Sequence, residues 1–540
     1  MDVKGCLTTM RGYEGGYTKM KLRKNLSVLL IGLLSFMVLL TGCSKSTQGT
    51  GDKKPNELVV AQATNPSTMD PHDTQDTLAY GIQETMYEGL LGFDKDMKVI
   101  PVLAEAMPEL AKDAKSLTFK LRKGIKFQDG TDFNAEAVKI NVDRLKDPAN
   151  KLKRASLLAA VEQVEIIDPF TVKIILNKPF AAIIQTFAHP GSMMISPKAI
   201  KEYGKELSRH PVGTGPFQFI EWKDGQYVAV KKFDGYWDKA NSAKVEKITF
   251  KPVPEAASRV AMLKTGEVQF IYPMPSEQIE NLKNDSNIVI DKSQSIIERY
   301  VVFDVNKKPF DDKRVRQALN YALDKDALNK VVYKGFASPP ESAIAPNVWG
   351  FQKQQMYAYD VEKAKKLLAE AGLPNGFETT IWAPNDTERA KIAEFVQQQW
   401  QLIGVKVTIQ QMEFVALTNL LSVKPEESKL QAAISGWSPS TGEADWAIRP
   451  LLTKGMFPTA GFNTGFYVNE DLEKLVKIGL ESADEKQRLS AYAEAQKVIV
   501  EDAPWAFLIV PDNVSGKRKN LSGVSILPDA TLNVKGAAFQ

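Results

Sequence analysis

Between Phe377 and Ser435 the chain repeats one pattern, strand then helix, more strictly than anywhere else. Phe377 to Ile381 (FETTI) has strand character and Thr387 to Ile403 a helical one, stopped by Gly404. Val405 to Gln410 is a second strand, and after a further helix Leu430 to Ser435 (LQAAIS) is a third. Strands separated by helices cannot pair as hairpins, so the segment is expected to form a parallel sheet with right-handed crossovers. Upstream, Asp312 and Asp360 are placed to cap helices: one carries Val315, Leu319 and Ala322 on a face, and the other closes at Gly372.

Such a sheet says where a ligand belongs, because open α/β sheets bind small molecules beyond the carboxyl ends of their strands. Two loops leave those ends, Trp382 to Asp386 and Gly436 to Trp446. The second packs two indoles, three hydroxyls and two carboxylates into the ten residues after Gly436. Indoles in a loop are expected to contact something, either a ligand or a neighbouring lobe.

Before Asn306 the pattern is mixed. Leu58 to Ala61, Leu117 to Leu121, Val172 to Leu176, Ile248 to Phe250 and Val268 to Phe270 have strand character, and Asn134 is placed to cap a helix over Glu136 to Leu145. A chain of 540 residues exceeds one compact core, so two or three lobes are expected.

The amino-terminal residues carry a different message. Lys21, Arg23 and Lys24 precede an apolar run from Leu26 to Leu40, too short to span a bilayer comfortably and ending in Leu-Thr-Gly-Cys43. This resembles a bacterial lipobox, which implies a signal peptide over 1–42, lipidation of Cys43 and a soluble domain held to the membrane by its acyl chains. Because the positive region normally opens the leader, Met20 is the expected start. Residues 43–56 are polar and aperiodic, as a flexible tether would be. Without Cys6, Cys43 is the one remaining cysteine, which leaves no disulfide and no thiol chemistry.

Charge narrows the function further. Lys4, Arg11, Lys19, Lys21, Arg23 and Lys24 against Asp2 and Glu14 account for the whole surplus of +4, so the remainder is neutral and lacks the positive field of a nucleic-acid binder. A nucleophile elbow fails because Gly436-Trp437-Ser438 continues as Pro439-Ser440, and no phosphate-binding glycine loop is present. Only His72, His189 and His210 exist, none spaced as a metal pair. No cofactor is expected, and a surface hydrolase is disfavoured.

Several motifs together resemble one family over nearly the whole mature chain. They are Tyr87-Glu88-Gly89-Leu90, Leu121 to Gly130, Gly213-Thr214-Gly215-Pro216-Phe217, Tyr236-Trp237 and Arg314 to Ala322. In this order they are similar to the oligopeptide-, dipeptide- and nickel-binding proteins of ABC importers (solute-binding protein family 5). Gly130 to Asn134, Asp147 to Asn150, Lys153-Arg154, His210 to Pro216, Ser440 to Trp446 and Phe462 to Tyr467 resemble its glutathione-binding branch. The resemblance implies an α/β, periplasmic-binding-protein-like fold (type II, three-lobed, peptide-binding subgroup) with ligand between two hinged lobes. It assigns residues 57–82, 213–306 and 508–540 to lobe I, 83–212 to lobe II and 307–507 to lobe III. It also implies a monomer outside the cytoplasmic membrane (periplasmic in a two-membraned cell), with permease and ATPase subunits as partners. General peptide, nickel-chelate or haem binding are the alternatives within the fold.

One departure bears on the ligand. The dipeptide binders place an Asp for the peptide ammonium where Ser440 stands, and their carboxylate-binding Arg has only the shifted Arg389 nearby. Losing two charge-assisted contacts costs an ordinary dipeptide about 1.5–3 kcal/mol each, which favours a γ-linked peptide such as glutathione. Its two carboxylates and one ammonium then call for Arg154 and Arg299 as clamps and for Asp445 or Glu443 as the acid. Trp437 and Tyr467 would be apolar walls, and Ser440, Thr441 and Asn463 hydrogen-bonding groups. Asp445 has a second reading, as the cap of the helix that follows.

Overall fold

The computed structural model describes residues 56–458 and 460–540. The expected signal peptide, Cys43 and all but the last residue of the expected tether over 43–56 lie outside these residues. Among the described residues no helix is long and apolar enough to cross a membrane.

One twelve-stranded sheet runs through the molecule. From one edge it reads Lys406–Met412, Glu378–Pro384, Ala432–Trp437, Glu298–Phe303 and then Trp505–Arg518. Beyond that long strand come Phe270–Tyr272, Glu57–Gln62, Lys247–Pro252, Tyr227–Lys232 and Phe217–Lys223. Trp505–Arg518 is the spine: its first part pairs antiparallel with Glu298–Phe303 and its last part with Phe270–Tyr272 and Ile288–Gln294.

The expected parallel pairing is present. Glu378–Pro384 runs parallel to Lys406–Met412 in seven-residue register and parallel to Ala432–Trp437 on its other side. Local chemistry sets these ends. Asp386 caps the helix Thr387–Gln401 by accepting from the Arg389 backbone N–H. Gly404 turns the chain at φ +80°, and a Cβ on the facing Gly376 would meet its carbonyl oxygen at 2.1 Å. Two strands differ in extent from expectation. The strand near Val268 begins at Phe270; Gln269 just before it donates its backbone N–H to the Val59 carbonyl and takes the Val59 N–H with its side-chain oxygen in place of a backbone carbonyl. The strand expected over Leu430 to Ser435 runs instead from Ala432 to Trp437, because Gly436 and Trp437 still pair with Arg299 and Glu298.

Alternation along these strands builds two cores, one on each face. Tyr300, Val302, Trp505 and Phe507 point to one face with Trp382 and Tyr492. Val301, Phe303, Ala506 and Leu508 point to the other with Phe310, Leu319 and Trp400. A separate four-stranded sheet, Glu109–Leu110, Ser116–Lys120, Thr171–Leu176 and Val161–Asp168, packs with the helix Ala135–Lys146 around Phe119, Phe127, Phe133 and Phe187. The neighbouring hairpin Leu91–Phe93 with Val99–Pro101 reaches the first core through Met97 in its turn, and the Ala181 N–H, just after the strand Thr171–Leu176, donates to the Leu480 carbonyl at 2.7 Å.

Candidate functional site

Glu378–Pro384 lies between the two strands that follow it in sequence, so the chain leaves it toward one side and returns on the other. That reversal opens a crevice at the carboxyl ends of Glu378–Pro384 and Ala432–Trp437, where α/β sheets place ligands. The groups there fall on opposite faces of the sheet.

On one face the Arg299 Nε donates to Glu388 Oε1 at 2.8 Å, and the Tyr333 hydroxyl donates to the same oxygen at 2.7 Å. Arg299 lies so close over Gly436 that a Cβ there would be 2.5 Å from its Nη1, so any larger residue would push the guanidinium off Glu388. Burial works against the Glu388 carboxylate, yet the Arg299 guanidinium holds it below the usual range. Arg389 sits beside this pair, 4.9 Å from the exposed ring of Phe414, with Asp386 3.4 Å from its Nη1. Burial, and after it the neighbouring Arg299 cation, pull Arg389 below its ordinary value.

The other face is aromatic. Trp437 donates through its indole N–H to the Trp446 carbonyl at 2.8 Å, and its ring lies 5.1 Å from Phe462 and 6.4 Å from Trp446. Phe462 is half exposed. Inside this cluster a tight cavity of about 10 Å³, room for one water-sized group, is lined by Glu298, Tyr300, Trp437, Pro439, Ile344 and Trp505, among others. Glu298 stands directly across the ladder from Trp437.

The expected ligand residues are therefore dispersed. Trp437 and Ser440 lie half-buried at the crevice with Thr441 buried beside them, and Arg299 is there too but on the opposite face from Trp437. Glu443 is fully buried and ion-paired with Arg488, and Asp445 is bound by Arg449 Nε and Nη2, both at 2.8 Å. Neither offers a free carboxylate, because an internal guanidinium already occupies each. Asp445 also does not cap its helix, Ala444–Leu452, whose cap position is Glu443. Asn463 is buried and ties Thr453 to Tyr467, whose hydroxyl donates to Asp502 at 2.7 Å. Arg154 donates to the Thr74 carbonyl and the Tyr80 hydroxyl, both at 2.8 Å, remote in sequence from the crevice loops. Glu298 is absent from the expected set. Its signal lay in phase: in Glu-Arg-Tyr-Val-Val-Phe it shares a face with Tyr300 and Val302, so the alternation that buries them buries it. Among the described residues no group of three or more His, Cys, Asp or Glu is placed to hold a metal ion.

A two-faced crevice at a sheet's switch point, with an aromatic wall and paired charges, has the features that binding proteins for small polar solutes use. Comparison with known proteins agrees. Residues 98–458 match the family described as bacterial extracellular solute-binding proteins, family 5 (middle part), and the chain belongs to that family. It is 44% identical over 486 residues to the glutathione-binding protein GsiB of Shigella dysenteriae, covering 90% of this chain and 94% of that one. Its fold matches HbpA2 from Haemophilus parasuis with a TM-score of 0.80 at 28% identity, over 90% of this chain and all of that one. It also matches DppA from Helicobacter pylori, solved with the peptide STSA, with a TM-score of 0.73 at 28% identity over 88% and 98% of the two chains. The architecture is thus the periplasmic-binding-protein-like fold of the peptide-binding subgroup.

Proposed function

We propose that this protein captures glutathione or a related small peptide outside the cytoplasmic membrane and delivers it to the permease of an ABC importer. The observation that carries the reading is the 44% identity to a glutathione-binding protein along nearly the whole chain. The substitution of Ser440 for the ammonium-binding Asp of dipeptide binders supports a ligand other than an ordinary dipeptide. Lipid attachment at Cys43 would hold the domain at the membrane, and the lobes would be 57–82 with 213–306 and 508–540, then 83–212, then 307–507. The protein binds its ligand without turnover and acts as a monomer beside permease and ATPase subunits.

Isothermal titration with reduced and oxidised glutathione, dialanine and Ni²⁺ tests this. Saturable binding of a glutathione is expected, with a rise in melting temperature worth about 2.7 kcal/mol at a hundredfold excess over Kd. Tight binding of dialanine with no response to either glutathione overturns the ligand assignment. Cleavage products after incubation would overturn the non-enzymatic role.

A further inference from the structure

A zwitterionic peptide brings an ammonium into the crevice, and an ammonium held out of water needs an acid. The acids near Trp437 are almost all committed. Arg488 takes Glu443, Arg449 takes Asp445, and Arg299 with Tyr333 takes Glu388 on the opposite face. Ser440 carries no charge.

Glu298 is different. It is 6% exposed, and its Oε1 is buried without a hydrogen-bond partner. It lines the water-sized cavity, large enough for an ammonium head group but not for more of a ligand, where the other titratable lining side chain is Tyr300 and the remainder are apolar or indole. Tyr300 stacks on Trp505 at 4.3 Å between centroids, and Trp437 faces Glu298 across the ladder. A carboxyl framed by tyrosine and tryptophan rings is the chemistry that recognises an amine: ring faces attract the cation and the carboxylate accepts its protons. Trp437 is half-buried between this cavity and the outer rings of Trp446 and Phe462, so it stands as the cover through which an amine would enter.

We propose that Glu298 is the residue that binds the ligand's ammonium group, inside the cavity bounded by Tyr300, Trp437, Pro439 and Trp505. This rests on the peptide-binding reading given above and names the specificity residue of that same site. Burial alone pushes the Glu298 carboxyl up to about 8, so the free protein holds it mostly protonated at neutral pH. When the ammonium enters with its three protons, the carboxyl ionises and its own proton leaves to solvent. Binding therefore releases about one proton per ligand at pH 7.

The test is calorimetry on the mature chain with reduced glutathione and with its N-acetylated form, at pH 7 in phosphate and in Tris. For the wild type, the enthalpy difference between buffers should report release of about one proton, and N-acetylation should weaken binding roughly ten- to hundredfold. Glu298→Gln preserves shape, and its folding is checked by melting. It should bind reduced glutathione roughly ten- to hundredfold more weakly, release no proton and no longer distinguish the two ligands. Unchanged affinity and proton count in Glu298→Gln overturn the assignment, as does a wild type indifferent to N-acetylation. If the wild type ignores glutathione but binds dialanine, the glutathione reading falls while the same comparison on dialanine and N-acetyl-dialanine still judges Glu298. If no amine-bearing peptide binds, both fall.

Discussion

Glu298 and Glu443 are glutamates buried to nearly the same degree, within one half of the molecule, yet they are set up in opposite ways. Glu443 meets the guanidinium of Arg488, which also donates to the Gly479 carbonyl at 2.8 Å and lies 4.5 Å from the Trp349 ring centroid. Glu298 shares a tight, water-sized cavity with aromatic and aliphatic side chains and has no cation beside it among the described residues. A buried carboxylate with its cation in place is a structural tie, whereas one kept without a partner is a cost that folding alone does not repay. The difference separates residues that hold the site from the residue that waits for something to enter it.

The comparison breaks most visibly at the paired glutamate. Glu443→Ala leaves Arg488 buried without its carboxylate and should destabilise the protein by about 3–5 kcal/mol in urea titrations. A loss under 1 kcal/mol would mean that the pair is not a structural tie.

Glu298→Gln should act in the other direction. The carboxyl rises from an ordinary 4.5 to about 8 on folding, so the native state holds a proton that the unfolded chain releases between these values. The stability tied to that proton is complete below about 4.5 and lost as pH rises through 8. The variant should match wild type near pH 4.5 and exceed it by on the order of 3 kcal/mol at pH 8, read from melting temperatures across pH. Equal pH profiles would remove the contrast between the two acids.

His72 sharpens the comparison with a buried group that has both partners. Its Nδ1 lies 2.8 Å from Arg144 Nη1 and its Nε2 lies 2.9 Å from the Met193 carbonyl, an arrangement that suits the neutral ring. Burial, opposed by Asp70 and aided by Arg144, pulls it from 6.5 down to about 4. Its contribution is therefore present above 6.5 and lost as pH falls through 4, about 2 kcal/mol across that window. In Glu298→Gln, where the opposing slope is gone, the acid limb should be steeper than in wild type.

The smallest effect belongs to an exposed pair. Lys391 and Glu277 are 2.9 Å apart with side chains 41% and 51% exposed, and they link the helix Thr387–Gln401 to the helix Ser276–Leu282. Lys391→Ala should cost less than about 1 kcal/mol, and that loss should fade in high salt.

Much of the scaffold was legible. Asp312, Asp360 and Asp386 each cap the helix that follows them, and the strand–helix alternation after Phe377 pairs in parallel. Caps and crossovers are local rules, so a linear reading reaches them. The site was less legible. The tryptophan-rich turn was identified, but a charge in sequence does not announce whether another chain segment will neutralise it. Arg488 lies 45 positions from Glu443, and only the packing of the helix Glu485–Asp502 brings them together.

By itself the sequence determined the parallel sheet, the ends of its helices, the crevice loops and the family, because these depend on period, on capping residues and on motifs read in order. Tertiary structure alone decided that Arg299 and Trp437 lie on opposite faces, that Glu443 and Asp445 are already occupied, and that Glu298 is not. Whether a buried charge is free depends on which distant side chain arrives beside it, and that is settled only when the strands take their register.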